Sequence, residues 1–215
     1  MKIELWADFV CPYCMVGKNR LDEALSLFEH RDEVEVVCRS FELYPGRPVY
    51  SGRGLADVLR EVEDMTPEKV RRILHKTAQL GHEVGLTFAL DVVKPTNTHD
   101  AHRLCHFART TGHEEALIHR IYEAYFLNGQ VISDHDILLE LAVQAGLDRT
   151  EAGSVLSDPL AFRAEIAKDQ SDAYEINFPV VPHFRINGLH HLSAVPTLDE
   201  LLGVLHQAWN EESLS

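Results

Sequence analysis

Apolar and polar residues alternate at the start of the chain. Ile3, Leu5, Ala7 and Phe9 fall on one side and Lys2, Glu4, Trp6 and Asp8 on the other, which predicts a β-strand over 2–9. Past Cys14 the period changes to that of a helix. Leu21, Ala24, Leu25 and Phe28 form an apolar stripe that predicts a helix running to about His30. Extended backwards, the stripe takes in Gly17 and Cys14 and leaves Cys11 at the mouth of the helix. Val34, Val36, Val37 and Phe41 predict a second strand over about 34–41. Tyr44-Pro45-Gly46-Arg47-Pro48 and Ser51-Gly52-Arg53-Gly54 then interrupt regular structure.

From about 55 to 176 every strong period is helical. One stripe runs through Val70, Ile73, Leu74 and Thr77 and stops near Gly81. A second runs through Ala101, Leu104, Cys105 and Ala108 and ends before Gly112. A third runs through Leu117, Ile121, Ala124 and Tyr125 and stops at Asn128-Gly129. Ser133 with Asp136 resembles a capping box ahead of Leu138, Leu141, Ala142 and Ala145. Asp158-Pro159 reads as an N-cap and first-turn proline opening a helix to about Tyr174. Strand character returns in His183-Phe184-Arg185-Ile186. Asn187-Gly188 then predicts a hairpin turn into Leu189–Leu192. Thr197 and Glu200 form a capping box before a last helix striped by Leu198, Leu201, Leu202, Leu205, Ala208 and Trp209. The predicted order is β-α-β, a helical block, then β-β-α.

Composition narrows the function classes. The 215 residues are 45% hydrophobic and 25% charged, with a formal net charge of -14. That acidity disfavours nucleic-acid backbones and anionic membrane surfaces as partners. No run approaches the roughly 20 apolar residues of a membrane span. Met1 to Asp8 carries charge where a signal peptide has its apolar stretch, so a cytoplasmic location is expected. Four cysteines are too few for a disulfide scaffold at this length.

Two of the four, Cys11 and Cys14, stand in Cys11-Pro12-Tyr13-Cys14, between the first strand and the first helix. Thiol–disulfide exchange needs a thiolate that attacks and a second thiol that resolves the mixed disulfide. A helix N-terminus favours negative charge, and in such motifs the attacking thiol falls from about 8.5 to between roughly 3.5 and 7. Cys11 is expected to be the exposed nucleophile and Cys14 the resolving thiol. Pro12 presets the first helical turn and Tyr13 lines the opening. The competing reading of the same four residues is half of a zinc site, which needs two further ligands that neither Cys38 nor Cys105 supplies as a second pair.

Three motifs together resemble one family: Asp8-Phe9-Val10-Cys11-Pro12-Tyr13-Cys14, Asn97-Thr98-His99-Asp100-Ala101-His102-Arg103-Leu104, and Val180-Val181-Pro182-His183-Phe184 followed by Ile186-Asn187-Gly188. Over almost its whole length the chain resembles the thioredoxin-fold family of the bacterial disulfide oxidoreductase DsbA, in its FrnE-like branch. The resemblance implies an α/β, thioredoxin-like fold from 1–54 and 177–215 with an inserted all-helical domain at 55–176. It implies a protein disulfide oxidoreductase or isomerase acting on thiol- or disulfide-containing proteins or peptides. It also implies a cis bond between Val181 and Pro182, facing the cysteines and open to pair with an extended substrate. No resident cofactor or metal is expected; glutathione is a candidate co-substrate, and a homodimer is a candidate assembly. His183 departs from the apolar or aromatic residue more usual beside that proline. The second cysteine pair of some FrnE-like proteins has no counterpart after Cys105.

Two other functions share part of this pattern. Kappa-type glutathione transferases and 2-hydroxychromene-2-carboxylate isomerases resemble the chain in architecture but typically carry a single serine at the position of Cys11, so Cys14 favours redox chemistry. A redox-inactive holdase or zinc-binding module is the third reading. His99, His102 and His106 share a helix face by spacing, expected to be solvated or cleft-lining rather than metal-ligating. Asn97-Thr98-His99-Asp100 either lines the cleft against Cys11 or caps a helix. Cys38 and Cys105 are expected to be small buried hydrophobes.

Overall fold

A computed structural model describes residues 1–61 and 63–212; position 62 and the last three residues of the expected 177–215 segment lie outside them. The chain divides into two compact units, Met1–Phe41 with Asp169–Ser215, and Glu42–Lys168. The sequence places these seams at 54 and 176. In the structure the second seam falls between Lys168 and Asp169, because Asp169 is bonded into the first unit: its carboxylate accepts from the Ser40 backbone N–H at 2.9 Å and from Arg39 at 3.0 Å.

The first unit is built on a four-stranded sheet: β1 (Lys2–Ala7), β2 (Glu35–Ser40), β3 (His183–Ile186) and β4 (His190–Ser193), in the order β2-β1-β3-β4. β1 runs parallel to β2 and antiparallel to β3, and β3 pairs antiparallel with β4. Asn187 and Gly188 both take positive φ, 49° and 72°, as a primed hairpin turn requires. Helix α1 (Pro12–Leu27) and the last helix, α9 (Leu198–Glu212), cover one face. Ile3 and Leu5 meet Leu21, Ala24, Leu25 and Phe28 there, with Leu201, Leu205 and Ala208. Cys38 packs at the margin of this core beside Val34 and Val36. Thr197 and Glu200 form the expected capping box: each backbone N–H donates to the other's side chain, at 2.7 and 3.2 Å.

The other face of β1 departs from the simple alternation. Glu4 and Trp6 are buried, not solvated. The Glu4 carboxylate accepts from Arg39 Nε at 3.0 Å and from Arg185 Nε at 2.7 Å, and the Trp6 indole N–H donates to the Asp169 carbonyl at 2.9 Å. Burial alone would raise the Glu4 pKa, but the two guanidinium groups outweigh it and hold the carboxyl below its ordinary value. The polar strand position is satisfied by arginine partners from the neighbouring strands, so β1 is covered on both faces.

In the second unit the helices are α2 (Leu55–Glu61), α3 (Pro67–His82), α4 (His99–Thr110), α5 (Glu114–Phe126), α6 (His135–Gln144) and α7 (Arg149–Ser157); α8 (Arg163–Ile176) begins here and ends in the first unit. α4 is central, packed against α5, α6 and α7. Two of the expected caps differ. The N-cap of α6 is Asp134, whose carboxylate accepts from the Asp136 and Ile137 N–H groups, while the Ser133 hydroxyl pairs with Thr96. Asp158-Pro159 does not open a helix. Arg103, fully buried, donates to the carbonyls of Val155, Asp158 and Ala161, and that claim on the backbone holds 159–162 in turns until Arg163. No helix among the described residues is long and apolar enough to cross a membrane.

Two predictions follow from the first unit's packing. His183 is 2% exposed, stacked on Phe178 with ring centroids 4.2 Å apart, and burial, then His191, then Arg185 lower its pKa to about 4. Above the unfolded value of 6.5 the imidazole is neutral in both states; between 6.5 and about 4 only the unfolded chain takes the proton, so stability falls as pH falls through that window. Urea unfolding at pH 7 and pH 4.5 should show a loss roughly 2 kcal/mol larger in the native protein than in His183→Asn. Equal losses would show that the ring protonates as easily folded as unfolded. The second concerns Gly17, where an added Cβ would lie 2.7 Å from Pro182 Cγ and 3.3 Å from Phe184 Cζ. Gly17→Ala gains helix propensity but overpacks a rigid ring; a net loss of about 1–2 kcal/mol and a Tm lower by roughly 2–6 °C is expected. A raised Tm would contradict the close packing.

Candidate active site

The site lies where β1 hands over to α1. After Ala7 the chain turns through Phe9 and Val10, and the Cys11 N–H closes the turn on the Asp8 carbonyl at 3.2 Å. This turn ends the expected strand at 7 instead of 9. Cys11 is the N-cap of α1, with extended backbone at φ -96° and ψ 110°. Its carbonyl accepts from the N–H groups of Cys14 and Met15, at 3.1 and 3.3 Å. Pro12 occupies the first helical position, where its missing N–H removes one donor that would have no partner. No side chain caps this helix and no acidic residue sits in its first turn, so the positive end of the helix dipole faces the Cys11 sulfur without competition.

Both thiols are in one place but in unequal surroundings. Cys14 is fully buried, and Cys11 is 5% exposed. The expectation of an exposed Cys11 is therefore corrected: at the N-cap of α1 it is buried. Tyr13, between them, is 41% exposed and forms the solvent side of the motif. Burial pushes the Cys14 thiol well above the ordinary thiol range, and its hydrogen bond with Cys11 and the Cys11 charge push the same way. The Asp8 backbone N–H, donating toward Cys14 Sγ, opposes this, and the Asp8 carboxylate reinforces it.

The Val181–Pro182 peptide bond is cis. Both residues are buried, and Pro182 lies against the Gly17 position of α1, one turn beyond Cys14. β3 starts at the next residue, and the His183 ring is held at both nitrogens, Nδ1 by the Ser193 hydroxyl at 2.8 Å and Nε2 by His191 Nδ1 at 3.0 Å. Gly17 therefore fixes the approach of the cysteine-bearing helix to the Pro182 segment.

Asp8, quoted in the first motif but given no role there, and Lys18, outside the motifs, are the buried charged residues of this segment. Asp8 is 1% exposed and acts electrostatically on Cys14; Lys18, also buried, pairs with Asp22 at 2.5 Å. Asp8 had a signal in the sequence, an acid at the strand end three positions before the first cysteine. Lys18 had none, since i,i+4 spacing to Asp22 reads as an ordinary surface pair. Among the described residues, neither cysteine joins two further histidine, cysteine or carboxylate ligands at metal-binding spacing.

On the His99, His102 and His106 face of α4 only His99 is partly exposed. His102 and His106 are buried, His106 lies over the Phe162 ring, and His99 Nδ1 meets the Glu42 carboxylate at 3.2 Å. Cys105 is buried beside them. Asn97 shapes the start of α4: its side-chain oxygen accepts from the His99 N–H at 2.8 Å and its amide donates to the Arg47 carbonyl at 2.9 Å.

Comparison with known proteins agrees with this geometry. The family model described as a DSBA-like thioredoxin domain matches residues 2–205. The uncharacterized protein YwbO of Bacillus subtilis (strain 168) is 32% identical over 157 residues, covering 72% of this chain and 70% of that protein. The crystal structure of the probable DsbA oxidoreductase SCO1869 from Streptomyces coelicolor superposes with a TM-score of 0.91 at 35% identity, covering 98% of this chain and 91% of that one. The cytosolic disulfide reductase DsbM from Pseudomonas aeruginosa shares the fold, with a TM-score of 0.67 at 19% identity over 98% of this chain and 99% of that one. A cysteine pair at an uncapped helix mouth, a cis-proline segment packed on that helix and a family match over nearly the whole length lead to one assignment: the chain belongs to the DsbA-like thioredoxin domain family.

Proposed function

We propose that the chain is a thiol–disulfide oxidoreductase that exchanges a Cys11–Cys14 dithiol or disulfide with protein or small-peptide thiols. The observation that carries this reading is the cysteine pair at the uncapped mouth of α1, Cys11 at its N-cap and Cys14 fully buried within its first turn. In the reducing direction the Cys11 thiolate attacks a substrate disulfide. An S–S bond forms to Cys11 and the other substrate sulfur leaves as thiolate. Cys14 then loses its proton and attacks the Cys11 sulfur. The second substrate thiol leaves, and two electrons have passed from the protein to the substrate. The oxidising direction runs the same steps backwards.

The surroundings of Cys14 suit the second step. Two of the causes that raise its pKa, the hydrogen bond with Cys11 and the Cys11 charge, disappear once Cys11 is bonded to substrate sulfur. Cys14 thus stays a thiol in the resting dithiol and ionises more readily in the mixed disulfide. Val181 and Pro182 serve as the backbone against which an extended substrate aligns, with Pro12 and Tyr13 shaping the entrance. The chemistry needs no resident cofactor. Glutathione is a suitable small thiol partner, and DsbM, which shares the fold, has been solved with it. The cytoplasm is the compartment this reading assigns.

Cys11→Ser should reduce insulin reduction and dithiol oxidation to background, while Cys14→Ser should accumulate mixed disulfides visible as mass additions at Cys11. Exchange activity that survives in Cys11→Ser removes the proposal. Iodoacetamide at neutral pH, followed by peptide mapping, should label Cys11 well before Cys14, with Cys14 reacting only in strongly alkaline solution. Equal labelling of the two at pH 7 would contradict the buried, proton-retaining resolving thiol.

A further inference from the structure

A second set of chemical groups lies wholly within the second unit. The segment after Phe41 forms a turn at Tyr44-Pro45-Gly46-Arg47, in which the Arg47 N–H donates to the Tyr44 carbonyl at 3.0 Å and Gly46 takes φ 79°. Proline and glycine in these two central places are what a type II turn requires. The turn brings its first and last side chains together: the Arg47 guanidinium carbon lies 3.8 Å from the centroid of the Tyr44 ring. The Arg47 carbonyl is tied down by the Asn97 amide at 2.9 Å. The guanidinium is thus held flat by an aromatic face and a pinned backbone. Among the described residues no carboxylate pairs with it.

Beside this group opens a cavity of about 440 Å³. Its walls include Tyr44, Pro45, Arg47, Arg53, Val58 and Pro95. Arg53 forms an ion pair with Glu61, so one of the two guanidinium groups is neutralised and the other is open. In a chain of net charge -14, an unmatched arginine fixed in a recess is a poor candidate for solubility and a good one for binding an anion. A planar guanidinium matches a carboxylate with two parallel N–H···O bonds. The cavity size is that of a small-molecule site, and rigid proline and aromatic walls suit a flat apolar body. A phosphate would need more donors than one open fork provides.

We propose that this cavity binds a carboxylate carried on a flat or aromatic body, anchored bidentately by Arg47 against Tyr44. The carboxylate can belong to a free organic acid or to the C-terminus of a short peptide. Both present the same group, and the choice between them is experimental. The site stands independently of the proposed thiol exchange, because none of its residues belongs to the first unit.

The test is isothermal titration of the full chain with phenylacetate, with N-acetylphenylalanine, with N-acetylphenylalanine amide and with inorganic phosphate. Saturable binding of an acid, with the neutral amide and phosphate much weaker, is the expected result. Tighter binding of phenylacetate points to a free acid and tighter binding of N-acetylphenylalanine to a peptide end. Arg47→Ala should weaken the preferred acid by on the order of 10- to 100-fold, the value of a charge-assisted hydrogen-bonded pair. Arg47→Lys, which keeps the charge and loses the fork, should weaken it nearly as much. Thiol exchange in both variants should equal that of the native chain, which also shows that they fold. Absence of saturable binding, equal binding of acid and amide, or native affinity in Arg47→Ala or Arg47→Lys would each overturn the proposal.

Discussion

The close approach of Gly17 to Pro182 and Phe184 is the contact on which the thiol site rests. A helix crossing a sheet normally keeps its backbone at side-chain distance. Here the α1 backbone comes down until a single added carbon would lie 2.7 Å from a proline ring. Only a residue without Cβ permits this, and it lies one turn past Cys14 on the same inward face. The position of the helix mouth follows from it. β3 begins directly after Pro182, and β3 is paired with β1, the strand that delivers the chain to Cys11. The helix, its preceding strand and the Pro182 segment therefore form one rigid arrangement, in which the sulfur atoms cannot shift without moving the central strand.

That central strand is stabilised on its second face by charge pairing at Glu4 as well as by the buried Trp6 ring. Glu4 lies between Arg39 of β2 and Arg185 of β3, and Arg39 reaches on to Asp169 of α8. Two carboxylates and two guanidinium groups compensate each other, so little net charge is buried. Removing one member would leave its partners without compensation, which is more damaging than the pair is stabilising. Arg185 also lies over the Trp6 ring, 5.1 Å from its centroid, so one arginine serves both the charge network and the aromatic layer. Through Asp169 the same network ties α8 to the sheet, and it is the reason the first unit reclaims the chain inside a helix.

Most of the fold was legible because local rules and packing agree. The stripe Leu21, Ala24, Leu25 and Phe28 is the buried face of α1, the Asn187-Gly188 turn is where a positive-φ pair is needed, and the Thr197–Glu200 box caps α9. The readings that failed did so where a distant side chain supplied what water or a local cap supplies elsewhere. Glu4 reads as a solvated strand position because its arginine partners are 35 and 181 residues away. Asp158-Pro159 reads as a helix start because nothing near it reveals that Arg103, more than fifty residues earlier, takes the carbonyls. The His99, His102 and His106 face reads as solvated or cleft-lining, and α4, packed against three helices, buries His102 and His106 while His99 stays partly exposed. Of the site, the cysteines and the proline were legible as motifs. The burial of Cys11 was not, because burial at a helix mouth is set by tertiary packing and leaves no mark in the strand alternation.

Both cysteines are buried, and in the proposed exchange what matters is how the charge of one acts on the proton of the other. A resolving thiol that ionised as easily as the attacking one would compete for the same protons and would close the disulfide whenever any oxidant reached it. Burial prevents this by making the second negative charge expensive while the first is present. The penalty on Cys14 is set partly by Cys11 itself, through a hydrogen bond and a charge that exist only while Cys11 is free. In the proposed exchange, bond formation at Cys11 would remove both, so the first step would ease the second. Asp8 acts on the same sulfur in two opposed ways, its N–H favouring the thiolate and its carboxylate disfavouring it. In that proposal the order of events rests on the electrostatics of three neighbouring residues, Asp8, Cys11 and Cys14.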